Sequence, residues 1–350
     1  METARFCRLA DGSRVAFGVC GGGPPLVMPP GWLCHLHENW SHPAAAAARA
    51  RLAAEHRFVW YDRLGCGLSD REGFEPSLDN DLDQLVAVLD AAGIERASFI
   101  GYSAGALPVA AFAARNPERV ERLVFLTAFA RGRAVHTPEM IDMGHTIVNT
   151  VGWPFAARVI ATMLVPNASS EDLRWYARFQ QVATSGEMAM QLIEYQYKTD
   201  VLDLLPHITA QTLVLHDRQS EVVPLAAGEE IAALVPDATM HVLEGNEHDP
   251  FIRDSGGLID LILDFLAGRP LDRVRRTPAP ASCLTPREQE VLCLIAAGEA
   301  NKQIATRLDI TVATVERHVS NVYRKIDARG RADAVMAAVS MGLASPTQRT

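Results

Sequence analysis

Cysteine is sparse and unpatterned in this chain: Cys7, Cys20, Cys34, Cys66, Cys283 and Cys293 are scattered over 350 residues. The spacing offers neither a disulfide framework nor a set of zinc ligands, which excludes a stapled secreted scaffold and points to reduced thiols. A charged segment followed by an apolar core is missing at the start, and the Ala-rich stretch 44–54 is broken by Arg49 and Arg51. With no long uncharged apolar span, a signal peptide and a membrane helix are both excluded, and a cytoplasmic protein is expected. Basic residues are also scarce before Gly268, where 20 Lys and Arg face 34 Asp and Glu; from Gly268 onward 13 face 8. A net charge of −14 does not seek nucleic acid, whereas a small segment at +5 suits it. The length and the 48% apolar composition exceed one ordinary core, so two domains are expected.

What is there begins with Phe99-Ile100-Gly101-Tyr102-Ser103-Ala104-Gly105. An apolar run enters Gly-x-Ser-x-Gly and leaves into Ala-rich helical sequence, the strand, tight turn and helix of a nucleophile elbow. At such a turn the serine is strained, and a side chain two positions before or after it would strike the neighbouring strand or helix. The serine oxygen is lifted to the carboxyl edge of the sheet, and the Ala104 N–H at the following helix start is aimed at a developing oxyanion.

Short strands are expected at 5–9, 15–20, 25–29, 57–61, 123–126, 212–216 and 240–243, with helical spacing between several of them. Strands alternating with helices imply right-handed crossovers and a mainly parallel α/β sheet. After the third strand, Pro30-Gly31-Trp32 lets the chain approach closely, which makes the Trp32 N–H the second oxyanion candidate. The loop from Asp62 to Asp70 is spaced by glycines and reads as packing beneath the active edge. From 131 to about 206 strand signals fail and helical sequence carries aromatics and methionines, which describes a lid over an apolar pocket. His248 follows the last strand, where it can reach the serine and take its proton.

Residues 1–267 resemble the α/β-hydrolase fold. The resemblance is carried by Pro30-Gly31-Trp32, Asp62 to Asp70, Gly101 to Gly105, Val222-Val223-Pro224 and Gly245-x-x-His248-x-Pro-Phe251. It implies Ser103 as nucleophile and His248 as base. The family commonly places its acid four residues before the proline that matches Pro224, and here that slot is Ser220. Asp217 and Glu221 lie on either side as candidate acids. The acid orients the imidazole and stabilises the imidazolium, and its replacement in other triads costs roughly 10⁴-fold in rate. A pocket that binds a hydrolase-like ligand and turns it over slowly is the expectation.

A Pro- and Arg-rich linker over 268–283 leads to a second domain. Thr285, Pro286 and Glu288 compose a capping box with proline in the first helical turn. A short helix at 302–308 and a turn through Asp309-Ile310-Thr311 precede a third helix. There Val315, Val319, Val322 and Ile326 form one stripe, and Ala313, Arg317, Ser320 and Arg324 the other. Residues 284–345 resemble the LuxR-type helix-turn-helix domain, on Leu-Thr-Pro-Arg-Glu-x-Glu-Val-Leu from Leu284, Asn301-Lys302-x-Ile304-Ala305 and Thr314-Val315-x-x-His318-Val319-x-Asn321. The resemblance implies double-stranded DNA as partner and a homodimer on two-fold sites. It implies Glu316, Arg317 and Ser320 at base edges with Asn321 beside them, and Lys302, Arg324 and Lys325 at phosphates. Neither a metal nor a cofactor is called for. Three functions are compatible with these residues: a regulator sensing a small apolar ester, lactone or acyl ligand, a regulator with a working hydrolase, and a scaffold for dimerisation.

Overall fold

The computed structural model describes residues 4–246, 248–252, 256–271, 284–326, 328, 330–340 and 343. It divides into two compact units, Met1–Leu271 and Asp272–Thr350.

In the first unit, eight strands form one sheet: β1 (Arg5–Arg8), β2 (Arg14–Cys20), β3 (Pro25–Met28), β4 (Arg57–Tyr61), β5 (Ala97–Tyr102), β6 (Val120–Leu126), β7 (Gln211–Asp217) and β8 (Ala238–Leu243). Their order is β1-β2-β4-β3-β5-β6-β7-β8. The pairs β1–β2 and β2–β4 are antiparallel and every other neighbouring pair is parallel, as the alternation with helices requires. Alternate residues of the central strands feed two apolar layers. Phe99, Phe125 and Val214 pack on one side with α2 (Leu78–Ala91), α3 (Ala106–Arg115) and α8 (Leu225–Leu234). Ile100, Val124, Leu126 and Leu215 pack on the other with α1 (Pro43–Glu55) and α9 (Gly256–Leu266). Burial on both faces is why these strands read as continuous apolar runs.

The lid leaves the sheet after β6. It comprises α4 (Pro138–Val151), α5 (Trp153–Leu164), α6 (Ser170–Ala183) and α7 (Gly186–Lys198). An isolated antiparallel bridge between Arg131 and Asp200 closes its neck, within the span expected from the sequence. Beside it, a Cβ on Gly132 would strike the Gln196 carbonyl oxygen, so the two sides of the neck can approach this closely only with glycine there.

The first unit extends four residues past 267. Arg269 bonds to Asp264 at 2.6 Å and pairs with Glu55 at 3.7 Å, and Leu271 packs on the α1/α9 layer. The rest of the expected linker, 272–283, lies outside the described residues.

The second unit holds α10 (Pro286–Ala296), α11 (Asn301–Leu308), α12 (Val312–Lys325) and α13 (Arg331–Ser340). The capping box forms as expected: the Glu288 amide donates to Thr285 Oγ1 at 3.3 Å, and Glu288 Oε2 accepts from the Thr285 amide at 2.8 Å. Leu284, Val291, Leu292, Ile295, Ile304, Val315 and Val322 make the core. Asp309 takes a left-handed conformation, φ 52°, and turns α11 into α12.

Candidate functional site

The apolar run of β5 drives the chain into the centre of the sheet, and Ser103 stands immediately beyond it with φ 50°. Each glycine of the elbow has a steric cause. A Cβ on Gly101 would come within 2.9 Å of the Ala106 Cα, and one on Gly105 within 2.9 Å of the Pro29 and Pro30 carbonyl oxygens. The second contact presses the Pro30-Gly31-Trp32 loop onto the serine turn, which brings the Trp32 and Ala104 amides to the same edge. The Trp32 N–H donates to no described residue, and the Ala104 N–H is one of the orphan donors of a helix start.

His248 Nε2 lies 2.9 Å from Ser103 Oγ. Its backbone is held from two directions: its N–H donates to the carbonyl of Leu164, the last residue of α5, at 3.1 Å, and its carbonyl accepts from the Tyr102 hydroxyl at 3.1 Å. The nucleophile and base assigned from sequence are therefore brought together.

The acid is different. His248 Nδ1 is buried with no hydrogen-bond partner among the described residues. Ser220 Oγ accepts instead from the Val223 amide at 3.3 Å and closes its own turn. Glu221 is exposed to solvent. Asp217 is buried at the end of β7, with its carboxylate under the backbone of Gly245, where a Cβ would fall 2.9 Å from Oδ1. Neither candidate acid bonds to the imidazole. For Asp217 the reason is strand parity, because it follows Leu213 and Leu215 on the α1/α9 side of the sheet.

Burial sets the charges here. It pushes the Asp217 carboxyl up to about 6, with no compensating bond. It pushes His248 down to about 3, and neighbouring His216 and His136 add to the effect. A carboxylate on Nδ1 would act in the opposite direction. Close by, Thr127 follows β6 at φ 43° with its buried hydroxyl unpartnered, and the Nδ1 of buried His216 is also unpartnered. These orphans cluster at the carboxyl ends of β6 and β7.

The loop from Asp62 to Asp70 packs beneath the edge as expected, and its Arg63 does more than the sequence reading assigned. The fully buried Arg63 makes a bidentate pair with Asp81 at 2.8 and 2.9 Å and donates to the Gly31 and Trp32 carbonyls at 2.6 and 3.2 Å. Tyr195 of α7 donates its hydroxyl to Asp81 at 2.8 Å, and Trp32 donates its indole N–H to the Ala189 carbonyl at 3.1 Å. The Pro30-Gly31-Trp32 loop is thus tied to the lid through one buried charge pair. A charged residue in a glycine loop, and another on the apolar face of α2, were the only sequence signals for it. Ser103 itself is 6% exposed. Trp32, Trp153, Trp175, Phe179 and Met188 belong to the apolar cluster between lid and loop. A separate cleft of about 540 Å³, lined by Phe74, Ser77, Tyr195 and Lys198 among others, includes neither Ser103 nor His248.

On α12, Val315 and Val322 are buried while Glu316, Arg317 and Ser320 are exposed, as their stripes predict. Thr311 caps the helix by accepting from the Thr314 amide at 3.2 Å. Lys302 is exposed on the first turn of α11, and Arg324 donates to Asn321 Oδ1 at 3.2 Å. Lys325 departs from its expected place at phosphate. Its ammonium lies 2.7 Å from Glu288, so the acidic member of the capping box holds it against the helical core.

Comparison with known proteins agrees with these two folds. The family model for the alpha/beta hydrolase fold matches residues 24–255, and that for bacterial regulatory proteins of the luxR family matches 282–338. A 2-hydroxymuconate semialdehyde hydrolase of Pseudomonas sp. (strain CF600) is 27% identical over 74% of this chain and 92% of its own length. The transcriptional regulatory protein LiaR of Bacillus subtilis (strain 168) is 42% identical over 20% of this chain and 35% of its own. The crystal structure of an enol-lactonase from Burkholderia xenovorans LB400 superposes with a TM-score of 0.65 at 21% identity, covering 75% of this chain and 100% of that one. The chain belongs to the alpha/beta hydrolase fold family and carries a LuxR-type DNA-binding domain at its C-terminal end.

Proposed function

We propose that this protein is a transcription regulator whose hydrolase-fold unit is a receptor for a small, mainly apolar ester, lactone or acyl compound. The observation that carries the reading is the asymmetry of one ring: His248 bonds to Ser103 through Nε2 and has no partner on Nδ1 among the described residues. A ligand carbonyl would take hydrogen bonds from the Trp32 and Ala104 amides, with Ser103 and His248 beside it and the lid aromatics around its apolar part. Attack by Ser103 would require His248 to become an imidazolium, buried, with no carboxylate to stabilise it. That step is disfavoured, so the ligand stays. Entry to a serine this buried requires the lid to move about its neck. On the second unit, Arg317, Ser320 and Glu316 would read base edges in a major groove, and Lys302 and Arg324 would contact phosphates.

A second reading is favoured by the 2.9 Å Ser103–His248 bond and by the hydrolase names of the relatives: a hydrolase that slowly consumes its own inducer. Two assays separate them. With short p-nitrophenyl esters, the receptor reading expects turnover near the uncatalysed rate. Fast turnover abolished by Ser103→Ala would overturn it. In thermal melts, lactones and esters that bind the native state raise the Tm, with a stabilisation that grows as the logarithm of one plus ligand concentration over Kd. If no such compound shifts the melt, a scaffold without a ligand site is the better account.

A further inference from the structure

The lid carries an unusual surface. Among the described residues ten large hydrophobic side chains are exposed, and six of them, Met140, Met143, Val151, Phe155, Val159 and Met163, stand on α4 and α5. Their spacing is helical, at 140, 143 and 151 on one helix and at 155, 159 and 163 on the next. They form an outward stripe on each helix, opposite the inward Ile141, Ala157 and Ala161. Gly152, φ 87°, turns one helix directly into the other, so Val151 ends the first stripe just before Phe155 begins the second. Single exposed hydrophobics need no explanation, but a contiguous set marks an interaction surface.

The charges beside the stripes indicate the occupant. Exposed Glu139 and Asp142 flank the stripe of α4, whereas the residue beside the stripe of α5 is Arg158, whose guanidinium lies 5.6 Å from the centre of the Phe155 ring. A face acidic along one helix and basic along the next is complementary to itself when turned about a two-fold axis, with α4 laid on α5 of the other copy. We propose that the α4–α5 face is a self-association surface that pairs two copies of this chain.

At 1.5 Å per residue and about 10 Å of width, the two helices present roughly 400 Å². A stable interface buries about 800 Å² per partner, so the pairing is reversible and depends on concentration. The proposal deepens the regulatory reading and rests on it for its purpose. Two DNA-reading helices must be brought to two half-sites. The Leu164 carbonyl at the end of α5 accepts the amide of His248, so one backbone hydrogen bond links the paired helix to the ligand-facing histidine.

Sedimentation of the full chain over a wide concentration range tests the surface. The wild type should move from monomer to dimer, and Met143→Glu with Phe155→Glu should remain monomeric. Phe6→Glu removes an equally exposed hydrophobic outside the lid and should dimerise as the wild type does. Asp142→Arg and Arg158→Glu should each weaken dimerisation about tenfold or more, and the two together in one chain should restore it. Circular dichroism and Tm should stay at wild-type values, which keeps misfolding from imitating the result. A wild type that is monomeric at every concentration would overturn the proposal. So would association unaffected by the lid variants, or charge reversals that do not rescue each other. Because sedimentation involves no ligand, the surface and the receptor reading fail separately: the first in the ultracentrifuge, the second in the esterase and melting assays.

Discussion

The two sides of the His248 ring have different surroundings, one bonded to Ser103 and one with no partner among the described residues. Toward β5 everything is determined: the strained serine, two glycines with no room for a Cβ, the 2.9 Å bond, and an oxyanion loop pinned by Arg63. Toward β7, His248 Nδ1 and the Thr127 hydroxyl have no partner among the described residues, and the Asp217 carboxyl is raised by burial. Steric requirements persist because a backbone turn fails as a whole when one of them is broken. A single carboxylate can be lost with the turn intact, since Ser220 still serves its own loop by accepting from Val223.

If that contrast governs activity, restoring the acid should have the largest effect. Ser220→Asp should raise ester turnover by about 10³- to 10⁴-fold, measured with p-nitrophenyl acetate, while Glu221→Gln leaves it unchanged. No gain from Ser220→Asp in a folded protein would mean that something besides charge silences the site. Next is the ordered side: Arg63→Ala leaves Asp81 buried without its partner and should cost about 3 to 5 kcal/mol in chemical denaturation. A loss below about 1 kcal/mol would show that the pair is not what holds the oxyanion loop.

On the DNA-binding unit, Arg317→Ala should weaken binding to a cognate site by about 1 to 3 kcal/mol in a gel shift. Lys325→Ala should instead lower thermal stability and leave the salt dependence of DNA binding unchanged, because its charge already faces Glu288. A shallower salt slope would return Lys325 to the phosphates.

A further effect is in the pH dependence of stability. His248 is held down at about 3 in the folded protein against an ordinary value near 6.5, so the unfolded chain takes up this proton first. The group therefore costs nothing above about pH 6.5 and destabilises progressively as pH falls toward 3. Asp217, raised to about 6, and Asp62, raised to about 7, bind protons first in the folded state and act in the opposite direction below those values. The stability difference between wild type and His248→Gln isolates the histidine. It should shift against the wild type on acidification below pH 6.5, and a flat difference would show that the imidazole is protonated in place.

How much of this could be read beforehand follows from the range of the interactions. The elbow, the capping box at Thr285 and Glu288, the neck-to-neck extent of the lid and the two stripes of α12 are set by residues within a few positions of each other. All were legible. The missing acid was half legible: Ser220 stood in the slot, but whether Asp217 could reach His248 depended on which face of β7 it occupied. The Arg63–Asp81–Tyr195 chain joins positions more than a hundred residues apart and left only a trace, two charges in apolar surroundings. The Lys325–Glu288 pair was not legible for the same reason, since the two residues are 37 positions apart on different helices.

By itself, then, the amino-acid order determined two folds, the elbow serine, the histidine placed after the last strand and the exposed polar stripe of α12, because backbone strain, glycine sterics and helical periodicity are local. Only the tertiary structure decided that the imidazole's far nitrogen has no partner among the described residues, that one lysine is paired with Glu288 and that the lid's outer face is apolar. Those are questions of which side chains from distant segments share a buried space, and burial exists only once the chain has closed around it.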